Sequence, residues 1–541
     1  MTYTKQNKCE LLFIKKILDK SRNAVLDRFT SYYSAGKNEK DRTELCQKEL
    51  LYLQKQFFDA LLLGEQLAHE AFKGKRKDIR RTTFFNKKMS SISQQIDAMF
   101  PAAAKLWVLG GVVFRSQWGG LKELAGFDDK KGYVIDVLNS ASSLVLGAEN
   151  PWLIAADRLE DQLGVKDNIC TAYHPGIRQA FALMELKKMY PGNNKKDVKI
   201  HMESSGSIVN SIAIESVVAY AETVQKWSGA KIAGIDGTWC GGYGSSREGS
   251  GFGVDQAQTS KSGKTLWLDR CLPFPDKKNG AQFLAIIKEK VEKHSLAGIY
   301  LEPDIAGDLG IFSPDKTVLE KMSAILKKYG VPLILDCIQQ LGRTGGYWGE
   351  NVETIFKDQP LLILTAAKSA SNGQPFGYTI LPKVISDVAY PISQVTTNQM
   401  NGPLLRSLVV AEILKNKQMQ SWLEKKSNMI EEIAKKYDIE AGDNGLRGKF
   451  LNRGVFVGTD EQVKLVQIAL FVEDGILVGA LPGAIRYQPM LLELSSTNEY
   501  VAHAIFRRIT QIKKGVVSKE VQEIYNRLAS TPTGLARKNK E

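Results

Sequence analysis

Lys368 stands in LTAAKSASNGQPFG, directly after the apolar run 361–364. A lysine at the buried end of a strand loses hydration, which disfavours the ammonium form and leaves an amine able to act as nucleophile or base. The same residue can equally lay its stem on apolar surface and send its charge to water. Partners decide between the two, and three other segments offer them. HMESSGSIVNSIAIESVVAYAE places a serine-rich turn, 204–207, before a predicted helix, 209–222. Open amides and hydroxyls there suit a phosphate, although a plain helix cap has the same composition. In GIDGTWCGGYG, Trp239 follows the strand-like KIAGI between glycines, where its ring either stacks on a planar ligand or covers core. PLILDCIQQLGRTGG ends an apolar run on Asp336; a carboxylate there needs a salt bridge, a cap or a protonated ring nitrogen as its complement.

An amine for an aldehyde, a clamp for a phosphate, a surface for a flat ring and an acid for its nitrogen fit one cofactor, pyridoxal phosphate. The order and spacing of these parts are similar to those of the class III aminotransferases of the fold-type I pyridoxal-phosphate enzymes, over about residues 120–515. SSGSIVNS resembles the family's SG(S/T)xAN segment, LEPDIAGDLG its EP segment, DCIQQLGRTGG its DEVQxGxGRTG segment and AKSASNGQPFG its AKxxxxGxPxG loop. The resemblance implies Lys368 as the Schiff-base lysine, Asp336 facing the pyridine nitrogen, Gln339 near the ring hydroxyl, and Gly206 with Ser207 at the phosphate. Trp239 and Ile338 would sandwich the ring. Thr397, or its neighbour Thr396, would reach the phosphate of an adjoining subunit, which implies a homodimer. Arg486 would receive a substrate carboxylate with its two-pronged guanidinium, and Asp308 would mask that arginine. The implied reaction moves an amino group from an amine or amino acid, an ω-amino group included, to a keto acid or aldehyde. An aminomutase, a decarboxylase and a non-catalytic binding protein are the alternatives on the same scaffold.

The surroundings depart from the family pattern. Its aromatic-His-Gly is Trp239-Cys240-Gly241 here, its Asn-Glu is Asn210-Ser211, and its Asp-Glu is Asp336-Cys337.

The elements that must position these residues follow from periodicity. From about Phe100 short apolar runs (KIAGI, AGIYLE, PLILD, LLILT) alternate with helical segments, which predicts an α/β fold with a mainly parallel sheet. Expected organisation is an N-terminal helical extension over 1–100, the first segment of a small domain over 101–154, a large cofactor-binding domain over 155–395, and a small α+β domain with a basic tail over 396–541. Within the extension, apolar positions from Cys9 to about Tyr33 and from about Asp41 to Phe72 recur at helical spacing, predicting a helical hairpin docked on the remainder. The interrupted apolar stretch 98–114 reads as buried structure, too short to span a membrane.

At 541 residues, 43% hydrophobic and 24% charged, the chain is of globular, multi-domain type. The formal charge of +14 is concentrated at the two ends: residues 1–100 hold 20 basic and 12 acidic side chains, residues 501–541 hold 9 and 3, and the middle is neutral. Nucleic acid is therefore not expected as a partner, and basic runs such as KGKRKDIRR read as solvated faces. Six scattered cysteines with no CxxC pair argue against a zinc site or a disulfide framework, and no metal is expected. SKSGKT lacks the first glycine of a phosphate-binding loop. Without a convincing secretory segment, a cytoplasmic location is expected.

Overall fold

Strands whose two faces are both apolar must be covered on both sides, and the central sheet is built that way. The structure, a computed structural model, describes residues 5–33, 37–72, 114–124, 133–162, 177–192, 194–235, 238–242, 244–249, 267–307, 309–389 and 403–529. Before the central sheet come strands β1 (Phe114–Trp118), β2 (Leu121–Leu124) and β3 (Tyr133–Asp136). The sheet itself uses β4 (Val198–Glu203), β5 (Lys231–Ile235), β6 (Leu268–Leu272), β7 (Leu296–Leu301), β8 (Leu333–Asp336), β9 (Leu362–Ala366) and β10 (Gly377–Pro382). Their order is β4-β10-β9-β8-β7-β5-β6. All run parallel except β10, which is antiparallel to both neighbours. The expected α/β architecture with a mainly parallel sheet is what the chain adopts.

The helix Gly206–Thr223 covers one face, packing Ala213, Val217 and Ala221 against Ile334, Ile363 and Leu381. The helices Gly280–Glu292 and Lys316–Tyr329 lie on the other face and bring Phe283, Ile287, Leu319 and Met322 to Leu333 and Leu335. The second of these is punctuated by its sequence. The Asp315 carboxylate accepts from the Val318 amide at 3.1 Å, and Gly330, at φ 64°, ends it in the left-handed conformation that glycine adopts without steric cost.

Two smaller sheets flank this unit. Strands β11 (Leu446–Lys449), β12 (Asn452–Phe456), β13 (Ile476–Leu477), β14 (Gly479–Leu481) and β15 (Ala484–Tyr487) complete the set. Order β1-β2-β3-β13 joins the early segment to the late one, and β11-β12-β15-β14 is antiparallel.

The N-terminal helices α1 (Lys5–Tyr33) and α2 (Lys37–Phe72) form as their periodicity predicts. Their apolar faces, however, go to different partners. Helix α1 lies on the helix Leu404–Leu414, where Arg28 pairs with Glu412 at 2.9 Å, while α2 lies on the helices Pro151–Gln162 and Ser495–Lys513. Trp152 ties them together: its indole donates to Asp19 at 2.7 Å and its ring meets Phe57 edge-on at 6.3 Å. The two helices also meet each other, the Gln54 side chain donating to Asp19 at 3.4 Å, and an apolar stripe fixes which face is buried and not against what. The stretches 73–113 and 250–266, with the basic run, most of the apolar stretch and SKSGKT, lie outside the described residues.

Candidate active site

Parallel strands bring their carboxyl ends to one edge of the sheet, so β4, β5, β7, β8 and β9 all deliver their next residues there. A cavity of about 280 Å³ opens at this edge. Its lining includes Ser205, Gly206 and Ser207 after β4, Trp239 and Cys240 after β5, Glu302 after β7, Asp336, Ile338 and Gln339 after β8, and Lys368 after β9. The antiparallel β10 begins at the same edge, which brings Gln374, Pro375 and Phe376 to the rim.

Lys368 sits at φ 49°, a left-handed conformation uncommon for a residue with a Cβ, and opens a single 3-10 turn, Lys368–Ser371. Side-chain bonds hold that turn from outside. The Asn372 amide accepts from the Leu146 amide and donates to the Gly147 carbonyl, both at 2.8 Å, and Ser369 donates to the Ser142 carbonyl at 2.8 Å. Arg406, paired with Asp157 through its Nε at 2.9 and 3.0 Å, reaches the Ser371 carbonyl. Gly373 follows at φ 92°, where an added Cβ would lie 2.7 Å from Leu144.

Asp336 is buried at the end of β8. Its Oδ1 accepts from the Ile338 amide at 2.8 Å; its Oδ2 accepts from the Asn210 side-chain amide at 2.8 Å and from the Tyr300 hydroxyl. Burial pushes its carboxyl above the usual carboxylate range, while the donors from Tyr300, Ile338 and Asn210 and the charge of Lys368 oppose the rise. Two members of this arrangement carried no assigned role in the sequence. Asn210 was visible only as part of a matched segment. Tyr300 reads as one more core aromatic, and the available signal was a phenol inside a fully buried strand, which must find a partner.

At the start of Gly206–Thr223, Ser205 caps the helix by accepting from the Ile208 amide at 3.4 Å, and the Ser207 hydroxyl accepts from the Gly242 amide at 3.1 Å. Ile338 seals this corner: a Cβ on Gly206 would lie 2.7 Å from its Cδ1 and 3.4 Å from the Ala367 Cβ. Only glycine lets chain and side chain approach so closely. Trp239 lines the same cavity, part-buried, beside Cys240, whose carbonyl accepts from Asn210 at 2.6 Å.

Gln339 is buried, and its Oε1 accepts from the Arg486 guanidinium at 3.3 Å. Arg486 stands on β15 behind Gln339 and also donates to the Gly307 carbonyl at 3.2 Å. Eight of the ten sequence candidates are therefore described, and seven of them line the cavity; Arg486 joins them through Gln339. Thr397, with its neighbour Thr396, and Asp308 lie outside the described residues. Among the described residues, no cluster of three or more His, Cys, Asp or Glu can hold a metal ion, and no helix is long and apolar enough to cross a membrane.

Comparison with known proteins places this geometry. The family model for class III aminotransferases matches residues 124–509. A leucine/methionine racemase from Thermococcus litoralis is 28% identical over 273 residues, 46% of this chain and 59% of the relative. An acetylornithine aminotransferase from Bacillus anthracis is 26% identical, over 44% of this chain and 58% of its own. The chain thus spans somewhat over half the length of these curated relatives. Among solved structures, an ornithine aminotransferase from Toxoplasma gondii superposes with a TM-score of 0.65 at 18% identity, covering 81% of this chain and all of that one. A transaminase from the marine bacterium Virgibacillus does so at 0.62 and 17%, covering 75% and 94%. The chain belongs to the class III aminotransferase family, and its fold is that of these enzymes.

Proposed function

We propose that this chain is a pyridoxal-phosphate-dependent aminotransferase that moves an amino group from an amine or amino acid, ω-amino groups included, to a keto acid or aldehyde. The observation that carries the reading is the convergence of Lys368, Asp336 and the Ser-Gly-Ser helix start on one cavity. The residues present fit the cofactor. A buried carboxylate raised by desolvation, with neutral donors around it, suits a protonated ring nitrogen. A helix N-terminus with two serines suits a phosphate.

Bound there, pyridoxal phosphate would supply an aldehyde to take up the amino group and a ring to accept the electron pair freed at the substrate carbon. Lys368 would hold it covalently through Nζ and, once displaced, carry the proton between substrate carbon and cofactor. Asp336 would keep the proton on the ring nitrogen. Gly206 and Ser207 would bind the phosphate, Trp239 and Ile338 would grip the ring, and Gln339 would lie near its hydroxyl. Arg486 would receive a substrate carboxylate, with Asp308 covering the arginine when none is present. Thr397 would serve the neighbouring subunit's phosphate, so the working form would be a homodimer; a cytoplasmic location completes the reading.

The racemase relative favours a second outcome on the same scaffold, inversion at the substrate carbon with no acceptor. Purified protein titrated with pyridoxal phosphate should turn yellow and then, across a panel of amine donors, consume 2-oxoglutarate. Donor racemised without acceptor selects the second outcome. No absorbance and no turnover would remove the enzymatic reading.

A further inference from the structure

Tyr300 is the one polar side chain in the strand Leu296–Leu301, and that strand is buried along its whole length. Strand pairing explains where its ring goes. Tyr300 stands opposite Ile334 in the parallel ladder, and Asp336, two residues on, projects from the same face of the sheet. The phenol therefore meets the carboxylate beneath the helix Gly206–Thr223. There the Tyr300 hydroxyl donates to Asp336 Oδ2, and the Asn210 amide donates both to that oxygen, at 2.8 Å, and to the phenol oxygen, at 3.1 Å. Cys240 lies against the same hydroxyl.

We propose that Tyr300 is a positioning residue for Asp336: its hydroxyl stabilises the ionised carboxylate, so that the proton shared with the cofactor's ring nitrogen rests on the ring. This rests on the functional reading above. A proton between a carboxylate and a pyridine nitrogen goes to the stronger base. Hydrogen bonds donated to the carboxylate make it the weaker one. Among the described residues, the other ionisable groups that act on the cluster are Lys368 from the β9 turn, Glu302 after β7, Cys240 after β5 and Cys337 beside Asp336. Lys368 acts in the same direction as Tyr300, favouring the ionised form of Asp336. Without the phenol oxygen the carboxylate becomes more basic, the proton moves onto Asp336, and the ring loses the charge that draws electrons.

The test loads wild-type protein and Tyr300→Phe with pyridoxal phosphate labelled with nitrogen-15 in its ring. The ring nitrogen's chemical shift is then followed against pH. The midpoint for loss of the ring proton should fall by about one pH unit or more in the variant, a roughly tenfold change in the proton's equilibrium. A merely structural role predicts a lower melting temperature with superimposable titrations, and that result overturns the proposal. Where Tyr300→Phe does not fold, 3-fluorotyrosine incorporated at position 300, a more acidic phenol and stronger donor, must raise the midpoint; an unchanged or lowered one overturns it equally. Wild-type protein that takes up no labelled cofactor overturns the functional reading itself, a result distinct from coinciding titrations.

Discussion

Two buried carboxylates in this chain are offset in different ways, one chiefly by a charge and the other chiefly by neutral donors. Glu493 lies beneath the N-terminal helices, its Oε2 so near Gly120 that a Cβ there would stand 2.2 Å away. Lys426 is buried with it and donates to the Leu491 carbonyl at 2.6 Å and to the Glu493 carbonyl. Burial pushes the glutamate's carboxyl up and the lysine's ammonium down, and each charge opposes the shift of the other. Asp336 is as deeply buried, yet its hydrogen bonds come from an amide, a carboxamide and a phenol, all neutral. Where a charge serves packing, the chain supplies the opposite charge itself. At the sheet edge neutral donors do most of this, with the charge of Lys368 behind them, and the carboxylate is left suited to a further cation brought from outside.

The largest effect that tests this contrast is at the lysine. Lys368→Ala should lower turnover by about 10⁴-fold or more and abolish the visible absorbance of the bound cofactor, while urea unfolding of the cofactor-free protein stays near wild type. Breaking the other pair should do the reverse. Glu493→Gln removes the main charge that offsets the burial of Lys426 and should destabilise the fold by up to about 3–5 kcal/mol in urea titrations, and replacing both residues by apolar ones of similar volume should recover most of that loss.

Asp336→Asn separates the two roles of one carboxylate. Turnover should fall by about 10²–10³-fold, and the cofactor-free variant, with one oxygen in place of two for the donors of Ile338, Asn210 and Tyr300, should lose stability at low pH and regain part of it as pH rises. The sign follows from linkage. Burial raises the Asp336 carboxyl in the folded state above its ordinary 3.8, so protons favour the folded form. Its contribution to stability is full below the ordinary value and lost as pH rises through the folded one. Asparagine does not titrate, so the variant should gain on wild type as pH climbs through that window, measured as the difference in urea midpoints without cofactor. Parallel curves would contradict the assignment of a strained charge. The smallest effect is at the loop: Asn372→Ala removes two buried hydrogen bonds and should cost about 1–3 kcal/mol, with the cofactor absorbance weakened and not lost.

Much of the site was legible because its residues cluster just past apolar strands, and composition marks strand ends well. Lys368, Asp336, Trp239 and the serine turn were all found that way. Tyr300 was not, since its role depends on β7 lying beside β8, and strand order is a property of the sheet that no local stretch contains. Arg486 entered through the family resemblance alone, and its bond to Gln339 joins residues 147 apart and has no local trace. The N-terminal helices show the same limit. Their stripes were plain, while Trp152, which receives both, lies far along the chain.

The Asn372 bonds carry one more consequence. They join the lysine turn to residues 226 and 225 positions earlier, across a loop whose closure is entropically slow. The turn that presents Lys368 is therefore held in its left-handed start by a segment distant in sequence, and not by its own residues alone. Loosening the early segment should disturb the geometry at Lys368 without any change at the sheet edge itself.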